Sequence, residues 1–219
     1  MEVQARGLKL KMLRTLSQKV ITGGASPDIL GLEHISIGNV FGAANNAANG
    51  GFMTLQDIYQ AMYAVSVTED EMGKGGADYA ICHPKTLREL MGLVDANSRS
   101  EGFTWIYDED LEVDVPKFRG VLWLMGQVPT KETKGTGTNL TSIYFVKLKG
   151  PTGLKMLYAQ PPQRTELDRR WGFYRYPIPM NQTINRKGLC MEGVYALLSP
   201  EGNYAVSRLN GINPTQFAL

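Results

Sequence analysis

One long helix that stops at a pair of glycines constrains the fold of this chain more than any other stretch. Over residues 3–21, apolar side chains recur every four residues and so stack on one helix face: Leu8, Met12, Leu16 and Val20. Basic side chains fill most of the remaining surface: Arg6, Lys9, Lys11, Arg14 and Lys19. Glycine enters the left-handed conformation without a Cβ clash, so Gly23-Gly24 predicts a sharp stop. On periodicity alone, this is a basic amphipathic helix packed on a globular domain.

Composition bounds the class of protein. The 219 residues suffice for one large domain or two lobes, and 43% hydrophobic with 20% charged residues predicts a packed chain. A net charge of +2 is too small to predict nucleic-acid binding by itself. Cys82 and Cys190 lie in apolar strand-like runs without a CxxC pair, which predicts buried free thiols. No apolar run reaches the length of a membrane span, so we expect a soluble intracellular product.

Local signals predict an α+β chain with about three helices and at least six strands. Thr54 can cap a second helix, with Asp57 three residues further on. Pro84 suits the first position of a third helix over residues 84–94, directly after a buried strand over residues 77–82. Further strands are predicted at residues 121–125, 142–149, 153–159, 188–198 and 203–209, with a hairpin turn at residues 150–152.

Three stretches are predicted as loops. Residues 42–51 are small, polar and uncharged, which predicts a mobile loop. Residues 96–117 lose periodicity and contain an acidic run: Asp108, Glu109, Asp110, Glu112 and Asp114. Residues 130–139 are rich in Lys, Thr and Gly, which favours an exposed flexible loop.

The residue types that catalysis and metal binding need are sparse. His83 precedes a proline at a strand end, where a capping or packing role is expected, and His34 lacks a partner at metal-ligand spacing. No serine stands in a GxSxG setting, and residues 135–138 lack the glycine-lysine of a phosphate-binding loop. The acidic run lacks the alternating ligands and the glycine of a calcium loop. We therefore expect no catalytic residue, cofactor or metal, and no enzyme.

Opposite charge lies on separate segments. In contrast to the acidic run, residues 163–176 combine aromatic side chains with four arginines: Arg164, Arg169, Arg170 and Arg175. Arginine with tyrosine and tryptophan is the composition enriched at protein interfaces. Two interpretations stay open: an ion-pair cluster within one chain, or a head-to-tail contact between copies, which closes into rings.

In order and spacing, these elements resemble the major capsid proteins of tailed bacteriophages with the Hong-Kong-97-like fold. Residues 3–21 resemble the spine helix of that family, and residues 23–32 resemble the glycine-rich turn after it. Residues 54–65 resemble the next helix. Residues 77–90 resemble its strand, Asn-Pro, helix segment, with His83 where asparagine is usual. Residues 118–123 resemble the strand after the axial loop, and the closing strands end near Arg208-Leu209.

The resemblance implies two lobes and a structural function. A peripheral (P) lobe would hold residues 1–35 and 187–205 with the spine helix, and an axial (A) lobe residues 36–186 and 206–219 with a central mixed sheet. The N-terminal arm and E-loop of the family are not expected within this chain. The implied function is self-assembly through pentamers and hexamers into the icosahedral head shell around double-stranded DNA. Such a protein resides in the virion and assembles in the bacterial host cytoplasm.

The resemblance also implies contacts and alternatives. The loop 96–117 would point to the five- and six-fold axes, where its acidic residues would pair with Arg169, Arg170 or Arg175 of a neighbouring copy. The basic face of the first helix would meet either DNA phosphates or acidic groups of an arm or neighbour. Scaffolding, portal or decoration proteins are implied partners, and no membrane is. The alternatives are an encapsulin-type nanocompartment shell or a small α+β enzyme or binding module.

Overall fold

The chain divides into two units. The structure, a computed structural model, describes residues 11, 14–24, 30–36, 39–65, 76–96, 103–108, 113–126, 130–148, 153–158, 166–168, 173–176, 188–191, 195–198 and 205–215. Contacts group Met1–Gly31 with Met156–Leu198 as unit 1, and Leu32–Lys155 with Ser199–Leu219 as unit 2. The predicted lobes differ, because they placed residues 156–186 with the central sheet. The identity of these units as peripheral and axial lobes stays a prediction.

Unit 1 begins with the described part of the first helix, α1 (residues 14–22). Of the predicted apolar face, Leu16 is buried and Val20 is half-buried, whereas Leu8 and Met12 lie outside the described residues. Ile21, which was not part of the predicted face, is also buried. The Gly23 N–H donates to the Lys19 carbonyl at 2.8 Å, and the Gly31 N–H donates to the Gly23 carbonyl at 2.9 Å. A Cβ on Gly31 would lie 2.6 Å from the Gly23 nitrogen, so this tight turn requires glycine. The predicted glycine stop is confirmed.

The other described elements of unit 1 are short strands: β8 (Lys155–Tyr158), β9 (Glu166–Asp168), β10 (Phe173–Tyr176), β11 (Gly188–Met191) and β12 (Tyr195–Leu198). β10 pairs antiparallel with both β9 and β11, and β8 pairs with β12. The predicted hairpin turn at residues 150–152 lies outside the described residues. The strands on its two sides do not pair with each other, because residues 137–146 belong to the eight-stranded sheet and β8 pairs with β12. The Leu154 N–H donates to the Lys147 carbonyl at 2.7 Å.

Unit 2 is built on an eight-stranded mixed sheet in the order β1-β13-β7-β2-β5-β4-β3, with β6 also paired to β7. β1 pairs parallel with β13 and β2 with β5, while the other ladders are antiparallel. The strands are β1 (Val40–Gly42), β2 (Tyr79–Cys82), β3 (Thr104–Asp108), β4 (Val113–Phe118), β5 (Val121–Met125), β6 (Thr130–Lys134), β7 (Gly137–Val146) and β13 (Val206–Ile212).

Two helices cover one face of this sheet. α4 (Leu55–Tyr63) packs on β1 and β13, and α5 (Pro84–Ala96) packs on β5 and β7. Both boundaries follow the sequence signals, since Thr54 caps α4 and Pro84 opens α5. The core between helices and sheet is apolar and aromatic, with Trp123 edge-on to Phe145 at 5.7 Å between ring centroids. Unit 2 therefore confirms the predicted α+β chain with a mixed sheet.

Two of the predicted loops are strands. Residues 104–118 form the β3–β4 hairpin, and residues 130–146 form the β6–β7 hairpin. Each was hidden by its composition. The first stretch contains the acidic run, and the second is rich in Lys, Thr and Gly. In the short α2 (Leu32–Ile35), Leu32 and Ile35 lie one turn apart and are both buried.

The predicted mobile loop at residues 42–51 is held by side-chain hydrogen bonds. Its centre, α3 (Ala43–Asn46), is left-handed, with φ of 54° at Ala44 and Asn45 and 64° at Asn46. The Asp57 carboxylate accepts from the N–H groups of Ala44 at 3.1 Å and Asn45 at 3.3 Å. It also accepts from the Thr54 N–H at 2.9 Å. One buried carboxylate thus caps α4 and fixes a turn that L-residues rarely adopt.

Candidate functional site

The β3–β4 hairpin forms the outer edge of the sheet in unit 2. Its register pairs Trp105 with Pro116 and Tyr107 with Asp114. Near the sheet the hairpin belongs to the core, because Phe103 stacks on Phe118 at 5.2 Å. Towards the tip it becomes exposed: Trp105 is 57% and Tyr107 59% exposed. Exposed aromatic side chains on an edge strand are the mark of an interaction surface.

The two faces of the hairpin differ in chemistry. Directly opposed residues share a face, so Trp105, Tyr107 and Asp114 lie on the same side as the core residue Phe118. Ile106 and Val113 lie on the other side, and both are exposed. We name Trp105, Tyr107 and Asp114 the aromatic-acidic face. Sequence analysis singled out the acids of this segment and missed its aromatic residues, although the alternation around Trp105 was a strand signal.

The acidic residues predicted to pair with a neighbour are placed only in part. Asp108 ends β3 and Asp114 lies exposed in β4, while Glu109, Asp110 and Glu112 lie outside the described residues. Of the predicted basic partners, Arg175 lies in β10, where its backbone pairs with Leu189. Arg164, Arg169 and Arg170 lie outside the described residues. Asp114 belongs to unit 2 and Arg175 to unit 1, so their pairing between copies stays a prediction.

The basic face of α1 is described at three positions. Lys11 and Arg14 are exposed and Lys19 is half-buried, whereas Arg6 and Lys9 lie outside the described residues. The exposed cations agree with a basic outer face on this helix. What they meet in an assembly stays a prediction.

A half-buried arginine organises the other face of the sheet, and sequence analysis missed it. Arg208 in β13 pairs with Glu132 of β6 and with Glu33 of α2, the latter at 3.1 Å. Its guanidinium lies 5.4 Å from the ring centroid of Tyr144, the cross-strand neighbour of Arg208. Burial raises the pKa of the Tyr144 hydroxyl well above its usual value, so the ring stays neutral beside the cation. The cluster joins four segments and is structural, because its charges are compensated.

The outer face of α4 forms a second exposed surface. Four uncharged side chains line an open groove of about 500 Å³: Gln56, Tyr59, Gln60 and Tyr63. Tyr59 and Tyr63 lie 6.4 Å apart between ring centroids, and the Arg119 guanidinium lies 5.5 Å above the Tyr59 ring. We name these four residues together with Arg119 the tyrosine groove. The sequence predicted the capped start of this helix, and its exposed outer side was missed.

In the described part of the chain, the side chains that could be reactive, Cys82 and His83, have packing and capping roles. Burial raises the pKa of the Cys82 thiol to about 12, as expected for an inert buried cysteine. The Nδ1 of His83 accepts from the Lys85 N–H at 3.2 Å, which is the predicted capping role. Within the described residues, no three His, Cys, Asp or Glu side chains gather as a metal site. No described helix is long and apolar enough to span a bilayer.

Comparison with solved structures identifies the fold. The chain is 15% identical to the holo-SrpI encapsulin complex from Synechococcus elongatus, with a TM-score of 0.69 over 99% of this chain and 67% of that one. It is 15% identical to the capsid of a native GTA particle, with a TM-score of 0.55 over 97% of this chain and 65% of that one. The chain thus spans about two thirds of the length of each. No family model matches the sequence. No curated protein matches it either.

The architecture is therefore the Hong-Kong-97-like capsid fold. That fold was expected from the order and spacing of the sequence elements, and the expectation is confirmed. The two similar structures are an encapsulin complex and a capsid, which are structural shell proteins and not enzymes.

Proposed function

We propose that this chain is a coat protein that self-assembles into a closed icosahedral shell. The observation that carries the proposal is the likeness to an encapsulin over 99% of the chain, supported by the likeness to a phage-like capsid. The exposed aromatic residues on the edge strand of unit 2, Trp105 and Tyr107, also support the proposal. Exposed to water, these side chains add no burial energy to the stability of a monomer. The function is geometric: repeated weak contacts close a container.

Within that class, we propose the head shell of a tailed bacteriophage, with double-stranded DNA as contents. The order of sequence elements supports this choice. The second candidate is an encapsulin-type nanocompartment that encloses protein, and the higher TM-score of the encapsulin, 0.69 against 0.55, favours it. The two candidates differ in contents, so contents decide between them. A small enzyme or binding module is the third and weakest candidate.

The test is the particle mass of the purified native protein, by light scattering with an electron micrograph of the same fraction. Closed particles, or species of pentamer and hexamer mass, are expected. Nuclease treatment followed by extraction then separates the candidates, because protected DNA supports a phage head and a co-purified protein supports a nanocompartment. If the natural protein stays monomeric at all concentrations, the shell proposal is wrong.

We further propose that Asp108, Glu109, Asp110, Glu112 or Asp114 pairs with Arg164, Arg169, Arg170 or Arg175 of a neighbouring copy. Opposite charge on segments far apart in sequence supports this pairing. Reversing the charge of Arg169 and Arg170 together is expected to reduce assembly. Unchanged assembly would contradict the pairing.

For the basic face of α1, we propose contact with an acidic group of an arm or a neighbouring copy. The alternative is non-specific contact with packaged DNA. Both predict a shell whose stability falls with rising salt, because the charges of Lys11 and Arg14 are exposed and therefore screened. Emptied particles separate the two, since salt sensitivity persists in them only when the partner is protein.

A further inference from the structure

The β3–β4 hairpin exposes large apolar side chains on both of its faces. On the aromatic-acidic face, Trp105 is 57% and Tyr107 is 59% exposed. On the opposite face, Ile106 is 40% and Val113 is 52% exposed. Single exposed apolar residues are common, but a two-stranded ribbon with such residues on both sides is the mark of an interaction surface. Because the two faces point in opposite directions, a partner on one side leaves the other face in water.

The two faces also carry opposite charges. Asp114 lies on the aromatic-acidic face, directly across from Tyr107. Lys117 lies on the other face together with Val113, because residues four apart along a strand point to the same side. Within the described residues, no ion pair involves Lys117. We name Ile106, Val113 and Lys117 the aliphatic-basic face, and it complements the aromatic-acidic face in charge and in apolar character.

These two faces cannot meet within one chain, because they are opposite sides of the same ribbon. A contact that joins them therefore uses two copies, and it is heterologous: each copy gives one face to the neighbour before it and the other face to the neighbour after it. A two-fold dimer through this ribbon would instead place each face against its own kind. Asp114 would then lie near Asp114 of the second copy, or Lys117 near its Lys117, and the remaining face would stay exposed.

The size of the patch also favours a ring over a pair. Tyrosine and tryptophan side chains bury about 150 to 250 Å² each, so the exposed parts of Trp105 and Tyr107 amount to roughly 200 to 300 Å². A stable complex of two proteins buries about 800 Å² on each partner. One hairpin contact is therefore too small to hold a dimer by itself, whereas in a closed ring every copy makes two such contacts.

The thickness of the hairpin fits a narrow ring. Ribbons that pack face to face lie about 10 Å apart, so five or six of them close around a circumference of about 50 to 60 Å, which is a radius of roughly 8 to 10 Å. A closed ring leaves no end, so both faces of every hairpin are covered.

We propose that the hairpins of neighbouring copies pack face to face around a ring, the aromatic-acidic face of one copy on the aliphatic-basic face of the next. Trp105 and Tyr107 of one copy cover the aliphatic side chains of the next, and Asp114 lies beside Lys117. The proposal rests on the shell function and names the contact that closes its rings. The other four acids of the run are left for the arginines of residues 164–175, whose charge offsets the repulsion between neighbouring acidic runs.

The first test is crosslinking between copies of the full chain, each in a Cys190→Ser background. One copy carries Tyr107→Cys, and an affinity-tagged copy carries Val113→Cys. After co-assembly, the thiols are treated with a bis-methanethiosulfonate whose one-carbon spacer is shorter than the repeat of about 10 Å between packed ribbons. The expected product is a covalent dimer of one tagged and one untagged copy.

Each of these variants assembled alone is the matched control. It is expected to give no covalent dimer, because its introduced thiols all lie on the same face of the hairpin. A covalent dimer of Tyr107→Cys with itself would indicate a two-fold contact and overturn the proposal. Cys82 is buried, so it does not react in any of these samples.

The second test is a charge exchange. Asp114→Lys places a cation beside Lys117 of the next copy and is expected to reduce the yield of assembled species about tenfold, which is the effect of about 1.4 kcal/mol per contact. Adding Lys117→Asp is expected to restore most of that yield, because the ion pair is rebuilt in reverse. Arg88→Glu on the exposed side of α5 is the matched control and is expected to assemble normally. Circular dichroism of each variant checks that it folds.

The outcomes separate this proposal from the shell function. The mixed covalent dimer together with rescue by the exchange supports both. Shells that form while the mixed dimer is absent, while Asp114→Lys assembles normally, or while the exchange restores nothing overturn the hairpin contact and leave the shell function standing. The mixed dimer in open filaments, without closed particles, supports the contact and overturns the shell. A natural protein that forms no oligomer, with variants that form no mixed dimer, overturns both.

Discussion

Replacing Asp57 by alanine should unfold the left-handed turn as well as weaken a helix cap. The carboxylate accepts four hydrogen bonds: from Thr54 N–H and Oγ1, and from the N–H groups of Ala44 and Asn45. Loss of the capping box costs about 1 kcal/mol. Each of the three stranded N–H groups adds about 1 kcal/mol, at the low end of the usual range because Thr54 and Asn45 lie near water. We expect Asp57→Ala to lower the free energy of unfolding by about 3 to 4 kcal/mol.

The assay is urea unfolding followed by circular dichroism and tryptophan fluorescence. Thr54→Ala is the matched control, because it removes the cap hydroxyl and leaves the carboxylate on the turn; it should cost about 1 kcal/mol. Ala44→Gly probes the turn directly. Glycine tolerates a φ of 54° far better than alanine, so this variant should be about 0.5 to 1 kcal/mol more stable than the native chain.

The double variant decides whether the carboxylate and the turn act together. If Asp57 holds the left-handed turn, the gain from Ala44→Gly should disappear in the Asp57→Ala background, because the turn is no longer formed there. Two results would refute this reasoning. One is an Asp57→Ala cost no larger than that of Thr54→Ala, and the other is an unchanged gain from Ala44→Gly in both backgrounds.

Three further predictions concern single side chains. Arg208→Met should cost about 3 kcal/mol in urea unfolding, since Glu132 loses its cation, and Glu132→Gln should recover part of that cost; a cost under 1 kcal/mol would contradict it. Because burial raises the pKa of its thiol to about 12, Cys82 should resist iodoacetamide at pH 8 in the folded chain and react with it in urea. Mass spectrometry of the peptide that contains Cys82 measures the alkylation. Equal alkylation rates in the folded and unfolded chain would contradict the burial of Cys82. Desolvation, and to a smaller degree the charge of Lys85, lower the pKa of His83. The contribution of His83 to the free energy of unfolding should therefore be fully present above pH 6.5, the ordinary pKa of histidine, and should fall as the pH drops below 6.5. Unfolding midpoints at pH 7 and pH 5 check this, because His83→Asn keeps a cap and should lose that part of the pH dependence.

Local signals predicted the elements whose cause is local. The spacing of Thr54 and Asp57 predicted the start of α4, and Pro84 predicted the start of α5, because caps depend on neighbours within one turn. The hairpin over residues 104–118 was missed because its register is fixed by the partner strand and by the edge of β5. The left-handed turn at Ala44 could not be predicted, because its acceptor lies thirteen residues further on and is recognised only once both are folded.

The sequence predicted the acidic charge of the candidate site, but it did not predict the hairpin or its exposed aromatic residues. The acidic run gave the location of an exposed hairpin, and Asp114 is exposed on it. The exposed aromatic side chains of this hairpin, Trp105 and Tyr107, were not singled out, because the stretch was predicted as a loop and because exposure depends on what the rest of the fold covers. The tyrosine groove was missed for the same reason: α4 has an apolar stripe that predicts its buried side, and composition alone does not reveal that its other side lacks charge.

The position of β13 has a consequence for synthesis of the chain. This strand inserts between β1 and β7, so residues 206–212 complete a sheet whose first strand is residues 40–42. A nascent chain therefore carries an open sheet through most of translation, and it closes that sheet only after Ile212 has left the ribosome. Contacts of such long sequence separation form late. A truncated translation product lacks the strand that holds β1 in place. Quality control in the cell can therefore recognise and remove it.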